Sequence, residues 1–246
     1  MKTLKTIIAI TVLSLLTFSC SNDDSGDSKT TDLNYSNGNL STGTTSADKT
    51  VAPAGYTWSE VQAPNKLTGA LAVMGSYSLA DDFTVPEGEK WNITKINFYI
   101  FKTDYLEADS PVKDVRYEIY NTNPSTAGAV KVYGDFSVNK YFTSADAKMY
   151  RISVQYPDKT ARKIFKITAS STDLELTAGT YWIKWQTNVI NGQTLGHSHP
   201  ANTIIGSVDL PAYNALQQYV NTWVVLKDGD AKVDFPFEIV GSKTKI

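Results

Sequence analysis

Residues 79–102 read LADDFTVPEGEKWNITKINFYIFK. Residues 79–85 and 91–102 are both rich in β-branched and aromatic side chains, and Pro86-Glu87-Gly88 punctuates them as a turn signal. In the second half Ile93, Lys95, Asn97 and Tyr99 share one face, and Thr94, Ile96, Phe98 and Ile100 the other. A period of two is the signature of a strand.

The pattern repeats downstream. Residues 112–120 alternate, with Val115, Tyr117 and Ile119 inward and Arg116, Glu118 and Tyr120 outward. Further strands are predicted at 56–62, 129–136, 148–155 and 161–169, the last with Phe165 and Ile167 inward. Residues 173–177 and 180–187 flank Ala178-Gly179, a tight hairpin signal. Residues 216–225 and 232–240 close the chain, and Pro236 within the last run points to an edge or a bulge. Residues 212–219 are the best helical candidate, at two turns. Short strands at roughly 8–12-residue spacing predict an all-β, antiparallel sandwich or barrel.

Composition sets bounds. The 246 residues are 41% hydrophobic and 20% charged, with a net charge of −2 and a single cysteine. These are ordinary globular values. The absence of a basic run or stripe argues against a nucleic-acid partner. With one cysteine no disulfide forms within the chain, so stability rests on a core.

The cysteine is Cys20. It follows a positive start, Lys2 and Lys5, and an apolar run over residues 6–18 that is too short to span a membrane but has signal-peptide length. Residues 21–50, SNDDSGDSKTTDLNYSNGNLSTGTTSADKT, offer almost nothing to bury and are expected to form a flexible tether. The expected organisation is a signal peptide over 1–19, a lipidated cysteine with its tether over 20–50, and a β-sandwich over 51–246.

Two resemblances bear on this. The run ending in Ser19-Cys20 resembles the lipobox of bacterial lipoproteins, with Thr17 where that family usually has Leu. Ser21-Asn22-Asp23-Asp24 resembles the acidic export tag of Bacteroidota surface lipoproteins. Together they imply an outer-membrane anchor at Cys20 and display to the cell exterior. The segments LADDFTVPEGEKWNITKINFYIFK, VRYEIYNTNP, LTAGTYWIKWQ and DFPFEIVG resemble a secreted jelly-roll-like β-sandwich module of unassigned function, over about residues 77–241. This is the kind of fold seen in carbohydrate-binding modules.

Candidate sites follow from chemistry. His197-Ser198-His199 places two imidazoles on one face of a strand, where they fit either a zinc pair lacking a local third ligand or a solvated loop. Asp81 and Asp82, and separately Asp228 and Asp230, are oxygen-rich positions that suit a structural calcium; Asp228-Gly229 equally suits a hairpin turn. In residues 180–185, TYWIKW, the apolar Ile183 assigns Tyr181, Ile183 and Trp185 to the core. Trp182 and Lys184 then lie outward, where an exposed ring flanked by polar groups suits sugar stacking; a covering loop is the alternative. Trp91 and Trp223, at strand ends, are further ligand candidates.

No nucleophile elbow, zinc-protease motif or phosphate loop is present. Paired carboxylates of a glycan hydrolase remain open through Asp81, Glu107, Asp109 and Glu118. The expected function is non-catalytic binding or adhesion with a glycan as ligand. The alternatives are an envelope component that recognises a surface protein, and a glycan-acting hydrolase.

Overall fold

The computed structural model describes residues 29–105, 107–157, 160–189, 197–203 and 208–246. Cys20 and the signal segment lie outside the described residues. The strands are β1 (Thr30–Ser36), β2 (Thr57–Val61), β3 (Tyr77–Lys102), β4 (Val112–Tyr120), β5 (Lys131–Gly134), β6 (Tyr141–Ser153), β7 (Lys163–Val189), β8 (His197–Ser198), β9 (Leu216–Tyr219), β10 (Thr222–Val225), β11 (Lys227–Asp228), β12 (Ala231–Lys232) and β13 (Phe237–Lys245). Among the described residues there is no helix, and the fold is all-β and sandwich-like.

Two long strands organise it. β3 and β7 pair antiparallel along nearly their whole length, and the ladder is interrupted between Val85 and Lys90 and between Ile93 and Lys95. Sequence reading splits both strands at these points, because Pro86-Glu87-Gly88 and Ala178-Gly179 carry turn signals. The two signals face each other across the ladder: Val85 pairs with Gly179 and Lys90 with Thr177. Extra residues on one strand bend both. The turn chemistry therefore folds the sheet over on itself, and Ala178-Gly179 lies inside β7 rather than in a hairpin.

One half of the folded sheet carries β4, β5, β9 and β10, and the other carries β13, β1, β6 and β2. Their inner faces meet in one core. Trp185 of the first half lies 5.2 Å between centroids from Phe98 of the second, and Tyr117 lies 6.3 Å from Phe98. Phe83, Trp91 and Phe237 continue the cluster. Val115, Tyr117, Ile119, Phe165 and Ile167 are buried, as their alternation predicts. The sheet is not wholly antiparallel, since β2 runs parallel to β6.

Part of the stretch expected to be a tether is ordered. β1 pairs with β13 through seven register partners, Thr30 opposite Thr244 to Ser36 opposite Glu238. Leu33 and Leu40 are buried, and Tyr35 packs at 5.6 Å on Trp91. Polar strands with few apolar side chains look disordered in isolation, but a backbone ladder and two or three buried contacts suffice once a partner strand exists. Residues 30–50, expected outside the sandwich, thus belong to the ordered domain.

Two other expectations change. The helical candidate over 212–219 is not realised, because residues 216–219 form β9 between β3 and β10, the first part of the 216–225 run read as a strand. Pro236 precedes β13 rather than interrupting it, and β13 is an internal strand between β1 and β3. The irregularity falls instead between Val240 and Gly241. A Cβ on Gly241 would stand 2.0 Å from the Asn92 carbonyl oxygen, so only glycine fits that close approach.

Candidate functional site: an aromatic and charged sheet face

The outward face of the β5-β4-β7-β3-β9-β10 half collects three rows of side chains. Register places Tyr120, Trp182 and Asp82 in the first, and Glu118, Lys184, Ala80, Leu216 and Val225 in the second. Arg116, Gln186, Ser78, Gln218 and Trp223 form the third, with Gln186 donating to Ser78 Oγ at 3.0 Å. The outward assignment of Arg116, Glu118, Tyr120, Trp182 and Lys184 follows directly from strand alternation.

Lys184 is the centre of this face. Its ammonium lies 4.8 Å over the Phe136 ring and 5.5 Å over the Trp223 ring. Phe136 is held in place through its backbone, because Arg116 donates to its carbonyl at 2.8 Å while pairing with Asp114 at 2.9 Å. Glu118 sits beside it, accepting from Lys131 at 3.0 Å and from the Tyr120 hydroxyl at 2.7 Å. Burial lowers the Lys184 pKa, the Glu118 carboxylate opposes that shift, and Lys131 adds to it. Cation–π contact with a partly desolvated ammonium contributes on the order of 1–2 kcal/mol.

Of the four predicted ligand residues, three converge here. Trp182, Lys184 and Trp223 share this face, and Trp182 packs in one cluster with Ala80, Leu216, Tyr120 and Trp223. Trp182, however, is only 6% exposed, because the β9–β10 hairpin and Tyr120 cover it. The accessible ring is that of Trp223, which is half-buried. Trp91 does not belong to the face: it is buried in the core against Phe83 and Tyr35, and its Nε1 donates to Glu89. Phe136 ends the 129–136 run read as a strand, but β5 stops at Gly134, and beyond it the Arg116 contact to the Phe136 carbonyl holds the ring over Lys184.

Neither histidine is solvated. His197 Nε2 lies 2.6 Å from Thr187 Oγ1 and 3.3 Å from the Ala72 carbonyl, and His199 Nδ1 accepts from Trp185 Nε1 at 3.2 Å. Both rings are buried, and burial lowers both pKa values. They serve as polar struts of the core. Asp228 closes a tight turn: β11 and β12 pair around Gly229-Asp230, and the Asp228 carboxylate accepts the Lys66 and Leu67 N–H groups at 2.8–3.0 Å. Asp230 is exposed at the tip. Among the described residues no three His, Cys, Asp or Glu side chains gather at metal-ligating spacing.

Asp81 and Asp82 point to opposite faces. Asp82 joins the first row beside Trp182, while Asp81 is fully buried and accepts Asn37 Nδ2 at 3.0 Å, Phe235 N at 2.7 Å and Asp82 N at 2.9 Å. Of the carboxylates weighed for hydrolysis, Asp81 is thus sealed from solvent and Glu118 is engaged by Lys131 and Tyr120. A cavity of about 550 Å³ lies away from the face, between residues 63–66 and 153–155. No aromatic ring lines it, so it lacks a stacking surface.

No protein-family model matches the chain, and no curated protein and no solved structure matches it either.

Proposed function

We propose that the chain is a non-catalytic glycan-binding module that works from the Lys184 face. The observation that carries this reading is the half-exposed Trp223 ring beside the Lys184 ammonium, with Gln218 and Tyr120 on the same surface. A sugar presents apolar C–H faces to a ring and hydroxyl groups to donors and acceptors at its rim, and this surface offers both. Stacking and hydrogen bonding of that kind fix orientation on a largely preformed site. The lipobox-like run ending at Cys20 supports display of the module from a cell envelope, on the outer face of an outer membrane.

The test is a glycan array probed with the full chain and with its Trp223→Ala variant. Saturable binding that falls at least tenfold in the variant supports the reading; a folded wild-type chain that binds no glycan refutes it. The anchor has a separate test, since a Cys20→Ala chain is expected to lose fatty-acid labelling in cells.

A second reading, recognition of a surface protein, draws on the β9–β10 hairpin. Tyr219, Val220, Val224 and Val225 are all exposed there, at 55%, 60%, 48% and 48%. Co-purification of one stoichiometric partner that depends on Val224 would favour it over the glycan.

A further inference from the structure

Asp81 and Asp234 form a buried carboxylate pair with no cationic side chain paired to it among the described residues. Asp81 is fully buried and Asp234 is 6% exposed. The ion pairs that hold Glu89, Asp114, Glu118, Asp146 and Glu175 have no counterpart at Asp81, Asp234 or neighbouring Asp82 among the described residues. The partners that are present are N–H donors: three on Asp81, and the Asn214 N–H on Asp234 Oδ1 at 2.7 Å. N–H donors favour the ionised carboxylate, while buried charge needs a counter-charge or a metal.

A second observation points to the missing partner. Asn202 is 2% exposed, and its Oδ1 is buried with no hydrogen-bond donor. Asn202 is held next to the pair by both its main chain and its side chain: its backbone N–H donates to the Asp234 carbonyl at 2.9 Å, and its Nδ2 donates to the Asn37 carbonyl at 3.1 Å, while Asn37 Nδ2 donates to Asp81. Asn214 Oδ1 is likewise buried and without a donor, although the Asn214 N–H is bound to Asp234. Two orphaned amide oxygens, on residues whose backbone N–H groups bond Asp234, accompany two carboxylates without a cationic partner among the described residues, and what such a set lacks is a positive centre, not another acceptor. Burial and repulsion by Asp234 push the Asp81 carboxyl well above the usual carboxylate range, and burial raises Asp234 to about 6.

We propose that Asp81, Asp234, Asn202 and Asn214 hold one hard divalent cation of the Ca²⁺ class. All four offer oxygen, the donor type that Ca²⁺ takes in sets of six to eight with backbone carbonyls and water. With no third acid or imidazole at ligating spacing among the described residues, the set does not suit zinc or copper. The ion would tie together strand β3, the segment after β8, the entry to β9 and the entry to β13. The site lies across β3 from the Lys184 face but does not depend on the glycan reading.

The experiment uses the full chain stripped with chelator and titrated with CaCl₂ and MgCl₂, followed by calorimetry and thermal unfolding. The expected result is one Ca²⁺ per chain, a saturable rise in melting temperature, and Mg²⁺ weaker by at least tenfold. Asp234→Asn is expected to lose Ca²⁺ binding at least tenfold yet melt higher than the stripped wild type, because it removes buried repulsion without changing shape. Asp230→Asn, at the exposed β11–β12 turn, is expected to bind as wild type. Absence of Ca²⁺ binding at 10 mM by the stripped, folded wild type overturns the proposal. So does an Asp234→Asn variant that binds Ca²⁺ like wild type. Glycan binding that survives chelation leaves the cation site standing, and Ca²⁺ binding by a chain that binds no glycan does the same.

Discussion

Trp185 Nε1 donates a hydrogen bond to His199 Nδ1 at 3.2 Å, with both rings buried between the two halves of the sheet. The bond makes Nδ1 the acceptor, so the neutral ring carries its proton on Nε2. Burial is the main cause that lowers the His199 pKa; repulsion from His197 adds to it, and the Tyr99 carbonyl opposes it. The folded state therefore resists protonation that the unfolded chain accepts near pH 6.5.

Stability is accordingly predicted to hold above about pH 6.5 and to fall as the pH drops below it toward the depressed folded value. His197 acts in the same direction. Asp234 acts in the opposite one, since a folded pKa of about 6 gives up stability as pH rises from its unfolded value toward 6. The difference between wild type and His199→Gln cancels the carboxylate contribution. Urea midpoints at pH 7.5 and 5.5 are expected to move less in the variant; equal movement would contradict the assignment.

β1 is predicted to be part of the cooperative fold. Leu33→Ala is expected to cost about 2–5 kcal/mol in chemical denaturation, as for other buried leucines. Deleting residues 29–36 would also expose the β13 edge, and light scattering is expected to report association. A Leu33→Ala chain as stable as wild type would return these residues to the tether.

Gly241→Ala is predicted to destabilise by about 1–3 kcal/mol, because its Cβ would drive into the Asn92 carbonyl oxygen between β13 and β3. A shift of the thermal midpoint of several degrees is the readout. An unchanged midpoint would mean that the bulge yields freely.

Asp228 and Asp230 are predicted to separate. Asp228 caps two N–H groups and offsets the desolvation of Arg151, a fully buried guanidinium whose pKa falls to about 9 through burial while Asp228 opposes the fall. Asp228→Asn is expected to cost about 1–3 kcal/mol and Asp230→Asn less than about 0.5 kcal/mol. Equal effects would argue for a shared ligand-holding role of the two acids.

How much of this was legible depended on where each signal was local. Alternation correctly assigned the two faces of β4 and of residues 180–185, because a period of two needs only neighbours in sequence. It placed Trp182 and Lys184 outward, yet could not show that Leu216 and Trp223, from a hairpin more than thirty residues later, would cover Trp182. Turn signals at residues 86–88 and 178–179 read as chain reversals, and only their juxtaposition across the ladder makes them a bend. The Asp81 cluster draws Asn37, Asn202, Asn214 and Asp234 from four separate segments, and no spacing in the sequence announces it.

The central claim, that the Lys184 face is the ligand face, is tested most directly with the indole N–H signals of the five tryptophans. The full chain, labelled with ¹⁵N-tryptophan, would be titrated with the strongest oligosaccharide from the array. The account predicts saturable shifts at Trp223, smaller ones at Trp182, and none at Trp58 or Trp91. Saturation with the Trp223 signal unmoved, or with the leading shift at Trp58, would contradict it.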